Sequence, residues 1–216
     1  MDKKAVAAFF DRCAPWWDQD MVRDEEVIAA ILDNGGIRPG VSVLDVACGT
    51  GVLFPDYQKR RVASLTGIDI SPEMAKIAAA KFPEASVICG DVEETVFSSQ
   101  FDCVMAYNAF PHFPEPRRLI GVLAGLVKPG GRLSVAHGMS RAALAAHHGG
   151  RAKEVSIPLL SEDELAAVFR EWFDVDVVIS TDRMYQVAGT RRKDGSMSEK
   201  ALPQGTVQAS PPPYDL

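Results

Sequence analysis

Short runs of apolar, β-branched residues alternate along the chain with longer segments whose apolar residues recur every three or four positions. A short helix is expected over 3–19, broken at Pro15 and followed by the aromatic pair Trp16–Trp17. Val27, Ile28, Ile31 and Leu32 then fall at helical spacing within 22–34, and Asn34-Gly35-Gly36 supplies the stop. "VSVLDVA" (41–47), "SLTGIDI" (64–70), "SVICGD" (86–91), "FDCVMAYN" (101–108) and "GRLSVAH" (131–137) read as five strands. Helices are predicted between them. One runs from the glycine-containing turn after the first strand toward Lys59. One covers 71–82, with Ser71 as N-cap and Pro72 at the first helical position, and one covers 114–131, ended by Pro129 and two glycines. Ser140 caps a two-turn helix, "RAALAAHH", stopped by Gly149-Gly150. Ser161 and Glu164 have capping-box spacing at the head of a helix over 161–172, and "DVDVVIS" and "RMYQVAGTR" close the pattern as two strands.

Strands that alternate with helices in this way build a mostly parallel sheet covered on both faces. No helix separates the two closing strands, so the last strand is expected to run antiparallel. The fold class is therefore α/β and Rossmann-like, with ligands bound beyond the carboxyl ends of the strands.

Composition narrows the partners. The chain has 216 residues, of which 47% are hydrophobic, enough to bury a core without disulfides or a structural metal. A net charge of −6, with no long Lys/Arg block, argues against a broad nucleic-acid surface. No stretch of 18 apolar residues is present, so no membrane span is expected. The cysteines, Cys13, Cys48, Cys89 and Cys103, form no CxxC pair, which argues against a thiolate zinc knuckle. They read as reduced residues of a cytoplasmic protein, and the N-terminus lacks a signal-peptide layout.

Candidate chemistry lies at the strand ends. In "LDVACGTG" (44–51), Gly49 and Gly51 permit a tight turn against a ligand, while Phe54 stands where a dinucleotide fingerprint needs its third glycine. Asp45, inside the first strand, suits a cofactor that carries an ammonium group. Asp69, eighteen residues after Gly51, can accept both hydroxyls of a ribose; a helix-start acid is the competing account. Asp91 closes the third strand and is either an adenine contact or a loop acid.

"VLDVACGTG", "GIDISPEM", "GDVEE", "FDCVMAYNAFPHFPEP" and "LVKPGGRL" together resemble the successive motifs of class I S-adenosylmethionine-dependent methyltransferases, over roughly residues 5–190. The similarity is nearest to the small-molecule group that includes the ubiquinone/menaquinone-biosynthesis C-methyltransferases. "FFDRCAPWWD" (9–18) is similar to their N-terminal "FD…A..YD" segment, with Trp17 in place of a lid tyrosine. The resemblance implies S-adenosyl-L-methionine as cofactor, a seven-stranded sheet, and strands four and five side by side next to the glycine-loop strand. It implies that Gly49, Thr50 and Gly51 pack on the methionine portion with Asp45 beneath. Asp69 then holds the ribose, Ile70 and Met74 flank the adenine, and Asp91 and Val92 meet its edge. Asn108 lies near the methionyl carboxylate or the sulfonium, and Phe10 and Trp17 are among the aromatics able to face the cation. The implied organisation is a lid segment over 1–20, a methyltransferase domain over 21–192 with an acceptor-pocket lid at 138–160, and a disordered tail over 193–216.

The expected reaction is methyl transfer to a small-molecule acceptor held near the ends of strands four and five. All four histidines lie between 112 and 148. His112, His137 and His148 are the candidates for acid–base work or acceptor contact. The plainer accounts are a pocket wall for His112, a backbone-bonded loop residue for His137, and a helix end for His147 and His148. Their spacing matches no short-range metal motif, so a divalent metal rests on tertiary proximity alone. Three alternatives stay open: an acceptor bound through a histidine-ligated metal or itself a metal or metalloid species, a non-catalytic scaffold, and an RNA or protein methyltransferase. Intact Gly49, Gly51 and Asp69 count against the scaffold. The acidic charge counts against RNA, and "YNAFPHF" in place of an "NPPY"-like ending counts against amide or adenine-N6 transfer. Oligomeric state is left open.

Overall fold

β1 (Ser42–Val46) lies between β2 (Ser64–Asp69) and β4 (Phe101–Tyr107) and runs parallel to both. The computed structural model describes residues 1–19, 22–148 and 152–193, apart from the side chains of His147 and His148. With β3 (Ser86–Cys89), β5 (Val127–His137), β6 (Phe173–Ser180) and β7 (Tyr185–Arg191), these strands form one seven-stranded sheet in the order β3-β2-β1-β4-β5-β7-β6. β7 inserts between β5 and β6 and is antiparallel to both, as the missing crossover helix requires. β4 and β5 are neighbours, with Tyr107 opposite Ala136.

The sheet is central because its strands are apolar on both faces. Leu44, Val46, Val104, Leu133 and Val135 join one core cluster, which also includes residues of α5 (Pro116–Leu126) and α7 (Glu162–Phe169). Val43, Met105 and Ala136 point the other way. They join residues of α2 (Glu25–Asn34), α3 (Phe54–Lys59) and α4 (Pro72–Lys81). α1 (Lys3–Cys13) stands outside both cores and buries only Val6. A 3-10 turn, Ala14–Trp16, follows it.

Local signals at helix ends hold well. Ser71 caps α4 by accepting from the Met74 amide, and Ser161 with Glu164 forms the full capping box of α7. Ser140 starts α6 (Arg141–His148), its hydroxyl accepting from the Ala143 amide at 3.1 Å. The predicted glycine stop of α6 and the tail from 194 onward lie outside the described residues. One boundary moves. The helix expected to reach Pro129 ends at Leu126, and β5 already begins at Val127, opposite Phe101. Pro129 and its glycines fall where the β4–β5 register shifts. There Gly131 lies so close to the Asp102 carbonyl that an added Cβ would sit 2.6 Å from it.

The carboxyl ends of β1 and β4 are each followed by a non-glycine residue with positive φ, Ala47 at 54° and Asn108 at 54°. Such strained positions gather where backbone must turn sharply beside a ligand. They mark the edge of the sheet on which the candidate residues converge.

Candidate active site

The turn after β1 is built from Gly49 (φ 56°) and Gly51 (φ 84°). The two glycines serve different purposes. A Cβ on Gly49 would face the indole of Trp17 at 3.7 Å, whereas one on Gly51 would meet Phe82 at 2.8 Å and Phe54 at 3.1 Å. Gly49 thus keeps backbone accessible beneath Trp17, and Gly51 lets the loop close on the aromatic core.

Asp69, at the end of β2, joins this turn to the next. Its Oδ2 accepts from the Gly49 amide at 2.8 Å and its Oδ1 from the Ser71 amide at 2.9 Å. Burial pushes its pKa up to about 6, against the pull of those two amides, and the nearby Asp11 charge adds to the rise. Each carboxylate oxygen retains a further lone pair, which matches a pair of ribose hydroxyls. Asp45 lies deeper, 2% exposed, and its Oδ2 has no hydrogen-bond partner among the described residues. Burial drives its pKa to about 8; the Tyr57 hydroxyl works against this and the Asp69 charge with it. A buried carboxyl beneath the glycine turn, with the Tyr57 hydroxyl beside it, fits a ligand whose ammonium group brings a positive charge to that turn. Cys48, in the same turn, has its thiol pushed up by burial and by the charges of Asp45 and Asp69, so it is a packing residue and no nucleophile. The donor set therefore fits S-adenosyl-L-methionine.

Other expected cofactor residues divide. Thr50 is buried, and its hydroxyl donates to Asp18 at 2.5 Å. Met74 and Val92 are buried and Ile70 is half-buried; Val92 belongs to the apolar cluster around β1. Asp91 accepts from the Glu93 amide at 2.9 Å and pairs with Lys3. Asn108 stitches two strand ends together. Its amide donates to the Ala136 carbonyl at 2.8 Å and its Oδ1 accepts from the Gly138 amide at 3.0 Å.

α1 and the turn after it cover these loops. Ser71 Oγ donates to Asp11 at 2.5 Å, Thr50 and Lys81 (2.7 Å) both donate to Asp18, and Lys3 reaches Asp91 and Glu93. Partial burial works against ionisation of Asp18, but Lys81 and Thr50 prevail and hold its carboxyl below the usual range. Lys3, Asp11 and Asp18 escaped the sequence reading. Asp11 and Asp18 do stand seven residues apart inside "FFDRCAPWWD", flanking Trp17, and that spacing was the available signal.

The histidines separate. Phe10 packs edge-on against Trp17 (5.7 Å between centroids) and His112 (4.8 Å). His112 Nδ1 lies 2.7 Å from the Val155 carbonyl, which only accepts, so Nδ1 carries the hydrogen and a neutral ring keeps Nε2 as its basic nitrogen. The Ile157 amide donates to the Pro111 carbonyl at 2.8 Å, so 155–157 is fastened beside 111–112. His137 is fully buried, opposite Tyr185 in the sheet, with the two rings edge to face at 5.9 Å. The His148 side chain lies outside the described residues. Among the described residues no group of three or more His, Cys, Asp or Glu can hold a metal ion, so the metal alternative gains no support there. Among them too, no helix is long and apolar enough to cross a membrane.

Comparison with known proteins adds an independent line. Residues 44–135 match a family model described as a methyltransferase domain. A ubiquinone biosynthesis O-methyltransferase of Escherichia coli O81 (strain ED1a) is 31% identical over 61% of this chain and 59% of its own length. The match therefore takes in less than two thirds of that relative. Among solved structures, a methyltransferase in complex with the Haloferax volcanii Trm112 methyltransferase activator superposes with a TM-score of 0.70 at 19% identity, covering 85% of this chain and 97% of that one. The N-methyltransferase NodS of Bradyrhizobium japonicum WM9, in complex with S-adenosyl-L-homocysteine, gives 0.67 at 15% identity over 86% and 98%.

Proposed function

We propose, from the match of residues 44–135 to a methyltransferase-domain family model, that the chain is a class I S-adenosylmethionine-dependent methyltransferase that transfers a methyl group from S-adenosyl-L-methionine to a small-molecule acceptor. The acceptor sits beside the ends of β4 and β5. The observation that carries this reading is the junction at Asp69, where one buried carboxylate holds the glycine turn of β1 and the start of α4 beneath Trp17.

S-adenosyl-L-methionine, when bound, supplies an electrophilic methyl on a positively charged sulfur. In this reading Asp69 accepts from the ribose hydroxyls, and Asp45, buried beneath the glycine turn, meets the charge of the ammonium group through that loop. Trp17 and Phe10 lay aromatic surface over the site, exclude water and offer π-faces to a cation. Asn108 fixes the gap between β4 and β5, which limits where an acceptor can lie. His112 Nε2 receives the proton of an acceptor that binds protonated, and the Val155 carbonyl holds the ring in the tautomer this needs.

Residues 1–20 act as a lid, 21–192 as the catalytic domain, and 138–160 as the cover of the acceptor side. Four free cysteines support a cytoplasmic setting. Calorimetric titration with S-adenosyl-L-methionine and S-adenosyl-L-homocysteine tests the reading. Stoichiometric binding to the wild type and its loss in Asp69→Ala are expected; a wild type that binds neither compound overturns it.

A further inference from the structure

The three loops that follow β1, β2 and β3 are each held by polar contacts from the N-terminal segment, and a different residue makes them at each loop. Asp18 takes the hydroxyl of Thr50 in the first loop. Asp11 takes the hydroxyl of Ser71 (2.5 Å) and the amide of Glu73 (3.1 Å) in the second. Lys3 donates to Asp91 and pairs with Glu93 in the third. Apolar burial adds little to this attachment, since α1 itself buries only Val6. The opposite side of the segment faces the acceptor half of the site. Phe10 meets His112, His112 is bonded to the Val155 carbonyl, and α1 lies against the 3-10 turn Lys153–Val155.

We infer that Lys3, Asp11 and Asp18 are positioning residues. They clasp α1 to the three cofactor loops and, through Phe10 and His112, make the shape of the acceptor wall depend on whether the cofactor site is filled. This rests on the proposed methyltransferase function and adds a coupling to it. The two states are clasped and unclasped. One ion pair, from Lys3, and hydrogen bonds to two carboxylates hold the segment with little apolar burial behind them, so it opens more readily than the packed core. A molecule lodged beneath Trp17 adds contacts that only the clasped state makes, and so shifts the population toward it. The clasped state also brings Phe10 onto His112 and the Lys153–Val155 turn onto α1. An acceptor then meets a finished wall only after the cofactor has bound, which predicts an ordered sequence with the cofactor first.

The test uses the full chain with S-adenosyl-L-homocysteine as probe, read by hydrogen exchange and stopped-flow dissociation. In the wild type the probe slows exchange over 3–17 and over 153–157 together. In the double variant Asp11→Ala/Asp18→Ala both regions exchange rapidly with the probe bound, and dissociation quickens. If the lid is then closed about one tenth of the time, apparent affinity falls roughly tenfold. Asp11→Asn/Asp18→Asn retains the accepting oxygens and recovers most of the protection, which a general loss of stability does not allow. A double-alanine variant with wild-type dissociation and intact protection at 153–157 overturns the inference. Should that variant fail to fold, Lys81→Ala removes one partner of Asp18 from the surface of α4 and is held to the same readout. A wild type that binds no probe defeats the proposed function instead. The clasps are then judged on the ligand-free proteins, where faster exchange of α1 amides in the variant supports them and unchanged exchange refutes them.

Discussion

Asp69 and Gly49 are joined by a 2.8 Å hydrogen bond from the glycine amide to a buried carboxylate oxygen. That bond ties the first two strand-end loops into one surface. It also explains how an acid can remain useful where only 7% of it is exposed, because two amides and any bound hydroxyls share its charge. Asp69→Ala should therefore abolish measurable binding of S-adenosyl-L-homocysteine. Hydrogen bonds to a charged group contribute about 1.5–3 kcal/mol each, so losing two or more of them lowers affinity by at least ~100-fold. Isothermal titration checks this, with circular dichroism to confirm the fold.

Stability should fall as pH rises through the neutral range. Asp45 and Asp69 titrate at about 8 and about 6 in the folded chain, above the ordinary 3.8, because burial disfavours their charged forms. The folded state therefore holds more protons than the unfolded state between about 4 and 8, and the unfolding free energy decreases with pH across that window. Urea denaturation at a series of pH values should show this slope, and Asp45→Asn should flatten its upper part. A ligand with an ammonium group should offset the loss above pH 7.

Gly51→Ala should destabilise the fold by about 1–3 kcal/mol, since φ is 84° and the new Cβ meets Phe82 at 2.8 Å. Gly49→Ala meets only Trp17, at a van der Waals distance of 3.7 Å, and carries mainly the strain of its positive φ. Its effect should therefore appear more in cofactor binding than in the denaturation midpoint.

His112→Ala should lower kcat by about 10²–10⁴ with an acceptor that binds protonated, while S-adenosyl-L-homocysteine affinity falls much less, through the loss of the Phe10 contact alone. The basic nitrogen is lost, while the loops after β1, β2 and β3, where the cofactor is proposed to bind, keep their own hydrogen bonds. The pH–rate profile of the variant should lose its acidic limb.

His137→Ala should be felt first in stability, by about 1–3 kcal/mol, since the ring is fully buried against Tyr185. Denaturation midpoints measure that effect. Turnover per folded molecule equal to the wild type would remove the residue from any catalytic account.

Much of this molecule was legible in order along the chain. Strand runs, helix caps at Ser71 and Ser161, the glycine turn and the acids Asp45, Asp69 and Asp91 depend on periodicity and turn chemistry within a few residues. Those are local, so sequence alone determined an α/β sheet of seven strands and placed the candidate residues at the strand ends. What joins distant segments was not legible in that way. The tertiary path set β5 to begin at Val127, since only pairing with Phe101 distinguishes a strand from one more helical turn there. It also decided that the histidines of 112–148 part company. His112 turns to Val155 and Phe10, while His137 closes β5 against Tyr185. Above all it decided that Lys3, Asp11 and Asp18 reach Asp91, Ser71 and Thr50, residues 88, 60 and 32 positions away. No local rule pairs polar groups so far apart; the packing of α1 across the loops does.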